Sequence, residues 1–214
     1  MSAARPPRIY VLAGVNGAGK SSVGGAAFRS FGADYYNPDE AACALMAAHP
    51  GLEQAQANSA AWHQGRKLLE RAIAKRLDYA FETTLGASTI PRLLSEAADK
   101  GIDVYVWYAG LATPELHLAR VHSRVRRGGH DIPETDIRRR YEHSRLNLVQ
   151  LLPKLAALRL YDNSAEADPA AGHTPAPMLV LHVERGKILT PRDLARAPDW
   201  AKPIVAAAMK LSVG

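Results

Sequence analysis

The chain of 214 residues holds one cysteine, Cys43. That excludes intrachain disulfides and any cysteine-rich zinc site, and a lone thiol of this kind is expected buried or half-buried. No apolar run approaches the roughly 18 uninterrupted residues that a membrane span needs. The amino-terminal MSAARPPR lacks the apolar core of a secretory signal. A cytoplasmic protein without a membrane partner is therefore expected. Aromatic residues make up only 7% of the chain. What is present, 47% apolar and 22% charged residues, is a globular composition at a length that buries one core unaided, so residues 1–214 are expected to form one domain.

The net charge of +6 is unevenly placed. Between Arg120 and Arg145 stand eight arginines (Arg120, Arg124, Arg126, Arg127, Arg138, Arg139, Arg140, Arg145) against four acids (Asp131, Glu134, Asp136, Glu142). Such a block attracts anions: nucleotide phosphates, an anionic substrate or a nucleic-acid backbone.

Along the chain, strand and helix signals alternate, which predicts an α/β fold with a mainly parallel, five-stranded sheet. RIYVLAG, ADYYN, DYAFE, DVYVWY and LRLYDN supply the strands. Helices are expected from about Lys20 to Phe31, from Pro38 behind the Asn37 cap, over Gln54 to Leu77, in STIPRLLSEAADKG, in TPELHLARVHSRVRR and after Pro133. In the third of these, Trp62, Leu69, Ile73 and Leu77 recur at helical spacing. Residues 164–177 read as an exposed loop rich in Ala and Pro. MLVLHVERGKIL looks like a small hairpin turning at Gly186, with a helical segment after Thr190-Pro191.

GVNGAGKS, from Gly14 to Ser21, fits the spacing G-x-x-x-x-G-K-[ST] between a strand and a helix. The glycines let successive backbone N–H groups of residues such as Asn16, Gly17, Ala18 and Gly19 point into one concavity. Lys20 reaches the β- and γ-phosphates, Ser21 ligates magnesium, and Ser22 continues the helix start. The expected ligand is ATP, or GTP, with Mg²⁺.

A kinase also needs a carboxylate to take the acceptor proton and cations on the moving phosphoryl group. Two readings fit Asp39: a general base facing the phosphate loop, or an acid that favours the helix dipole. Glu82 closes a strand in FETT, where the carboxyl ends of parallel strands line a ligand crevice; it binds substrate, with Thr83 beside it, or is simply solvated. Arg120, Arg124 and Arg127 share one helical stripe opposite Leu118, Val121 and Val125. Arg140, Ser144 and Asn147 form another stripe on the next helix. With GGHDIP between them, the two helices look like a lid that brings arginines to phosphate; the alternative is a solvated charged face, which suits Arg126, Arg138 and Arg139. His130 either contacts phosphate or caps its turn.

Together GVNGAGKSS, YNPDEAA, FETTLG, YVWYAGL, RVHSRVRRGGHDIP, RRRYEHSRLNL and YDNS resemble the zeta toxin family of P-loop kinases over about residues 9–164. The resemblance implies an ATP-dependent kinase whose toxin members phosphorylate UDP-N-acetylglucosamine. It gives Lys20 and Ser21 phosphate and magnesium, Asp39 the role of general base, and Glu82 that of a substrate-binding acid. Arg124 and Arg140 best match its lid arginines, with Arg120 and Arg127 as further candidates. Nothing after Ser164 resembles a fused antitoxin, and the resemblance leaves a separate antitoxin protein as a candidate partner. Two other readings stand beside the kinase: a nucleic-acid kinase or binder using the Arg120 to Arg145 block, and an ATP-binding switch without transfer. Tyr141 is the only aromatic interleaved with those arginines, which counts against a single-strand binder.

Overall fold

The computed structural model describes residues 5–25, 35–165, 176–190 and 193–213. Arg8–Ala13 (β1), Tyr35–Tyr36 (β2), Tyr79–Thr83 (β3), Asp103–Gly110 (β4) and Ala157–Asp162 (β5) form five parallel strands. Met178–Glu184 (β6) and Lys187–Thr190 (β7) form the expected hairpin, whose turn uses positive φ at Arg185 (45°) and Gly186 (78°). The hairpin does not stand apart: β6 pairs antiparallel with β5, so one mixed sheet runs β2-β3-β1-β4-β5-β6-β7.

The helices are Pro38–Ala48 (α1), Gln54–Lys75 (α2), Thr89–Asp99 (α3), Pro114–Val125 (α4), Glu134–Leu151 (α5) and Lys202–Val213 (α6). The main core gathers Ile9, Val11, Val104, Val106, Leu158 and Leu160 of the sheet against Leu69, Leu94, Leu148 and Ile204 of the helices, all at most 1% exposed. A smaller cluster of Val15, Leu118, Val121, Ile132 and Ile137 fastens α4 and α5 to the phosphate loop. Burying such aliphatic side chains contributes about 1.5–3 kcal/mol each.

Several expectations shift. After the phosphate loop the described helix is one wide turn, Ser21–Gly25, and residues 26–34 lie outside the described set. So do 166–175, the greater part of the expected loop, and Pro191. Cys43 is exposed, because α1 buries only Ala42. In α2 the buried face is Ala57, Ala61, Gly65, Leu69, Ala72 and Ile73. The Tyr36 ring comes so close to Gly65 that an added Cβ would meet it at 2.7 Å, so this wall of the helix must stay small. Trp62 turns outward and is 36% exposed; Leu77 lies past the helix end and is 45% exposed.

Parallel pairing sets the geometry that matters. Ala13 pairs with Thr83 and Tyr108, and Gly110 with Asp162. The carboxyl ends of β1, β3, β4 and β5 thus meet along one edge, where open α/β sheets bind ligands.

Candidate active site

The phosphate loop leaves that edge between β1 and the Ser21 turn. Gly14, Gly17 and Gly19 have φ of +142°, +80° and +75°, values that side chains with a Cβ avoid, and this lets the loop fold into an anion-holding concavity. Gly14 must be small as well, since a Cβ there would strike the Ala109 carbonyl oxygen. Lys20 Nζ donates to the Gly14 carbonyl at 3.0 Å, closing the loop on itself. Ser21 and Ser22 are exposed at the helix start. The loop fits a nucleotide triphosphate.

Beside the loop lies a cavity of about 370 Å³ lined by Asn16, Lys20, Asp39, Glu82, Thr83, His130, Asp136 and Arg140, with Trp62 and Arg66 of α2 on its far wall. Asp39 enters it from the first turn of α1. Asn37 caps that helix, its side-chain oxygen accepting the Asp39 and Glu40 N–H groups at 2.9 and 3.4 Å, and Pro38 opens it. The cap was foreseen, and it leaves the Asp39 carboxylate uncommitted. That carboxylate, 49% exposed, lies 3.7 Å from Arg124 Nη1 and 3.9 Å from His130 Nε2. Arg124 also donates to the His130 carbonyl at 3.2 Å, which ties α4 to the segment that carries the histidine.

Glu82 is 9% exposed and accepts the Tyr35 hydroxyl at 2.5 Å. Thr83 Oγ1 accepts the Leu85 N–H at 3.1 Å, supporting a left-handed Leu85 (φ 54°) whose carbonyl takes Asn147 Nδ2 at 2.6 Å. A bulky residue held in that region stores strain, as binding sites often do. Ser144 donates to the Thr84 carbonyl at 2.6 Å and bonds Tyr108. Burial pushes the Tyr108 hydroxyl up to about 12, so it stays neutral. The polar stripe of α5 is therefore divided: Ser144 and Asn147 brace the Thr84–Ala87 loop, and Arg140 alone of the three lines the cavity.

Arg140 donates to Asn16 Oδ1 at 2.8 Å and to Asp136 at 3.2 Å. Burial pulls its guanidinium below the usual arginine range, with Asp136 and Asp39 opposing. On α4 the arginine stripe splits in the same way. Arg124 faces Asp39, whereas Arg120 donates to the carbonyls of Asn163 and Ala165 at 2.8 and 3.2 Å. Arg127 is exposed and returns to the Ser123 carbonyl of its own helix. Neither Arg120 nor Arg127 lines the cavity. The exposed face expected of Arg138 and Arg139 is present and paired with acids: Arg138 with Glu115 and Glu134, Arg139 with Asp136. Arg145 pairs with Glu142 and covers the Tyr141 ring at 4.1 Å.

His117 was not foreseen. It is 1% exposed and its Nδ1 lies 2.8 Å from the Asn16 carbonyl; burial holds it down to about 4. The ring is therefore neutral with Nδ1–H as donor, and it fixes the loop residue whose side chain receives Arg140. One signal was available: His117 precedes Val121 by one helical turn, on the apolar side of α4.

A phosphate loop after the central strand of a parallel sheet, facing a cavity lined by a lysine, arginines and carboxylates, defines a P-loop kinase. The chain belongs to the zeta toxin family, whose family model, described as Zeta toxin, matches residues 1–167; it is an ATP-dependent kinase. A relative from Haemophilus influenzae, an uncharacterised protein, is 32% identical over 135 residues, 60% of this chain and 88% of that protein. Among solved structures, AvrRxo1-ORF1 with AvrRxo1-ORF2 and sulphate is similar, with a TM-score of 0.66 at 17% identity over 96% of this chain and 76% of that one. The same pair with ATP gives a TM-score of 0.66 at 15% identity, covering 94% and 63%. The PezAT toxin-antitoxin system of Streptococcus pneumoniae gives 0.53 at 17% identity, covering 82% and 76%. At these identities the structural likenesses speak to the fold. Among the described residues no helix is long and apolar enough to cross a membrane.

Proposed function

We propose that the chain acts as one cytoplasmic kinase domain that transfers the γ-phosphate of ATP to a hydroxyl of a sugar nucleotide of the UDP-N-acetylglucosamine type. The observation that carries this reading is the single cavity shared by Lys20 of the phosphate loop, Asp39, Glu82 and Arg140. Lys20 leaves the Gly14 carbonyl for the β- and γ-phosphates. Asp39 takes the proton of the acceptor hydroxyl as the hydroxyl attacks the γ-phosphorus and ADP leaves, while the Arg124 guanidinium balances the carboxylate's charge and His130 flanks it. Arg140 places positive charge at the loop's mouth, where the transferred group passes. Glu82, held by Tyr35, accepts a hydrogen bond from the acceptor. Magnesium, when bound, neutralises the phosphate oxygens; the Ser21 hydroxyl is the protein oxygen that would hold it. A separate antitoxin protein is the partner this reading expects, by analogy with the PezAT toxin-antitoxin system of Streptococcus pneumoniae.

The arginine block does not favour nucleic acid as acceptor, because Arg138, Arg139 and Arg145 are paired with acids. The test is incubation with γ-labelled ATP, Mg²⁺ and a panel of sugar nucleotides, with Lys20→Ala as blank. Label on UDP-N-acetylglucosamine supports the reading. ATP binding with label on no sugar nucleotide overturns it.

A further inference from the structure

The family match ends at residue 167, yet the chain beyond it packs against the carboxyl ends of β4 and β5. Trp200, 4% exposed, follows the hairpin and lays its indole against Gly110 at the end of β4, so closely that a Cβ on that glycine would run into the ring. It also stacks on Tyr108, centroids 6.3 Å apart. Its Nε1–H donates to Asp162 Oδ1 at 3.1 Å. The same carboxylate oxygen accepts the Ser164 N–H at 3.2 Å and the Ser164 hydroxyl, and Ser164 Oγ accepts the Ala112 N–H at 2.8 Å. The turn 162–164 is thus locked from three directions.

Asn163 sits at the centre of that turn. Its N–H donates to the Gly110 carbonyl at 3.0 Å, and its own carbonyl receives Arg120. The side chain crosses to the phosphate loop, where Nδ2 donates to the Ala18 carbonyl at 2.9 Å and lies against Gly19. A loop that binds phosphate through its N–H groups needs its carbonyl oxygens turned away and satisfied elsewhere, because an oxygen facing the anion repels it. Asn163 satisfies one of these oxygens.

We propose that Asn163 is a positioning residue for ATP, and that Trp200 holds it in register through Asp162, making the carboxy-terminal segment part of the nucleotide site. The chain of contacts runs Trp200, Asp162, Asn163, Ala18, and does not involve the acceptor cavity. The proposal therefore stands or falls separately from the choice of acceptor.

The test uses the full-length protein, a fluorescent N-methylanthraniloyl-ATP and displacement by tripolyphosphate, which carries neither base nor ribose. Asn163→Ala should weaken both ligands together by about tenfold, the scale of one hydrogen bond to a loop that must hold charge. Trp200→Phe keeps the ring but loses the indole donor, and should weaken both by about threefold while strands β1 and β4 keep their hydrogen-exchange protection. Asp162→Asn retains an acceptor oxygen and should preserve affinity, whereas Asp162→Ala should not. Unchanged affinity in Asn163→Ala would overturn the proposal, as would a loss for the fluorescent ATP with tripolyphosphate unaffected. Loss in Asp162→Asn equal to that in Asp162→Ala, or equal affinity for wild type and Trp200→Phe, would remove Trp200 from it.

Discussion

Arg140 of α5 and Asn16 of the phosphate loop, 124 residues apart in sequence, are joined by a hydrogen bond of 2.8 Å from guanidinium to side-chain amide oxygen. The second donor edge of the same guanidinium rests on Asp136. Arg140 therefore ties the loop to α5 and, half-buried, keeps its charge on the cavity wall. Replacing it with lysine preserves a charge but not the fork that spans two acceptors. Arg140→Lys should lower kcat about 10²-fold or more, as expected when a preorganised charge at the transferred group is lost. Steady-state rates against ATP at saturating acceptor check this; a kcat within twofold of wild type would exclude a role in transfer.

On the proposed function Asp39 accepts the proton of the acceptor hydroxyl and adds nothing to nucleotide affinity. Asn37 caps α1 through backbone donors, so the Asp39 side chain is no structural part of the helix start. Asp39→Asn should leave the fluorescent ATP affinity unchanged and reduce transfer by roughly 10²–10⁴-fold. Parallel loss of binding and transfer would show that the carboxylate serves the nucleotide instead.

His117 makes the fold pH-dependent in a definite direction. Burial holds its folded value down to about 4, below the ordinary imidazole value of about 6.5, so the unfolded chain takes up the proton first as pH falls. Stability from this group is full above about pH 6.5, declines between about 6.5 and 4, and is constant below that, for a total of about 3 kcal/mol. Urea unfolding across pH 4 to 7 should show a slope that His117→Gln flattens. An identical slope in wild type and variant would mean that another group dominates.

How far the sequence revealed this site depended on the range of the interaction. The phosphate loop and the Asn37 cap are local patterns, and both were legible. Asp39 and Glu82 were legible as candidates because strand ends in an α/β sheet converge. The arginines were only half legible: helical spacing put Arg120, Arg124 and Arg127 in one stripe, but what each meets depends on the 162–165 turn, on α1 and on solvent, none of which the spacing encodes. Asn163 lies inside YDNS, and its role could not be read because its partner, Ala18, is 145 residues away. Trp62 shares the helical spacing of Leu69 and Ile73 and yet faces outward for a related reason. Helical periodicity marks a face, but Gly65 and Ala61 had already given the packing face of α2 to Tyr36, whose hydroxyl donates to the Ala61 carbonyl at 2.6 Å.

With Trp62 turned outward, the proposed function predicts that it contacts the acceptor. Its indole stands on the cavity wall with the Arg66 guanidinium 5.7 Å from the ring centroid, and Asn58 and Ser59 supply polar groups one turn earlier. An aromatic face next to a cation and two hydrogen-bonding side chains suits an acceptor with a flat ring and a negative charge, which a sugar nucleotide has. Trp62→Ala should raise the KM for the acceptor about fivefold to tenfold, the effect of losing roughly 1 kcal/mol or more of ring contact, with the KM for ATP unmoved. Trp62→Phe should recover part of the loss, since a smaller ring still stacks. Bisubstrate kinetics separate the two constants. A rise in both would point to a disturbed α2 rather than a lost contact, and no rise in either would mean that the acceptor never reaches this wall.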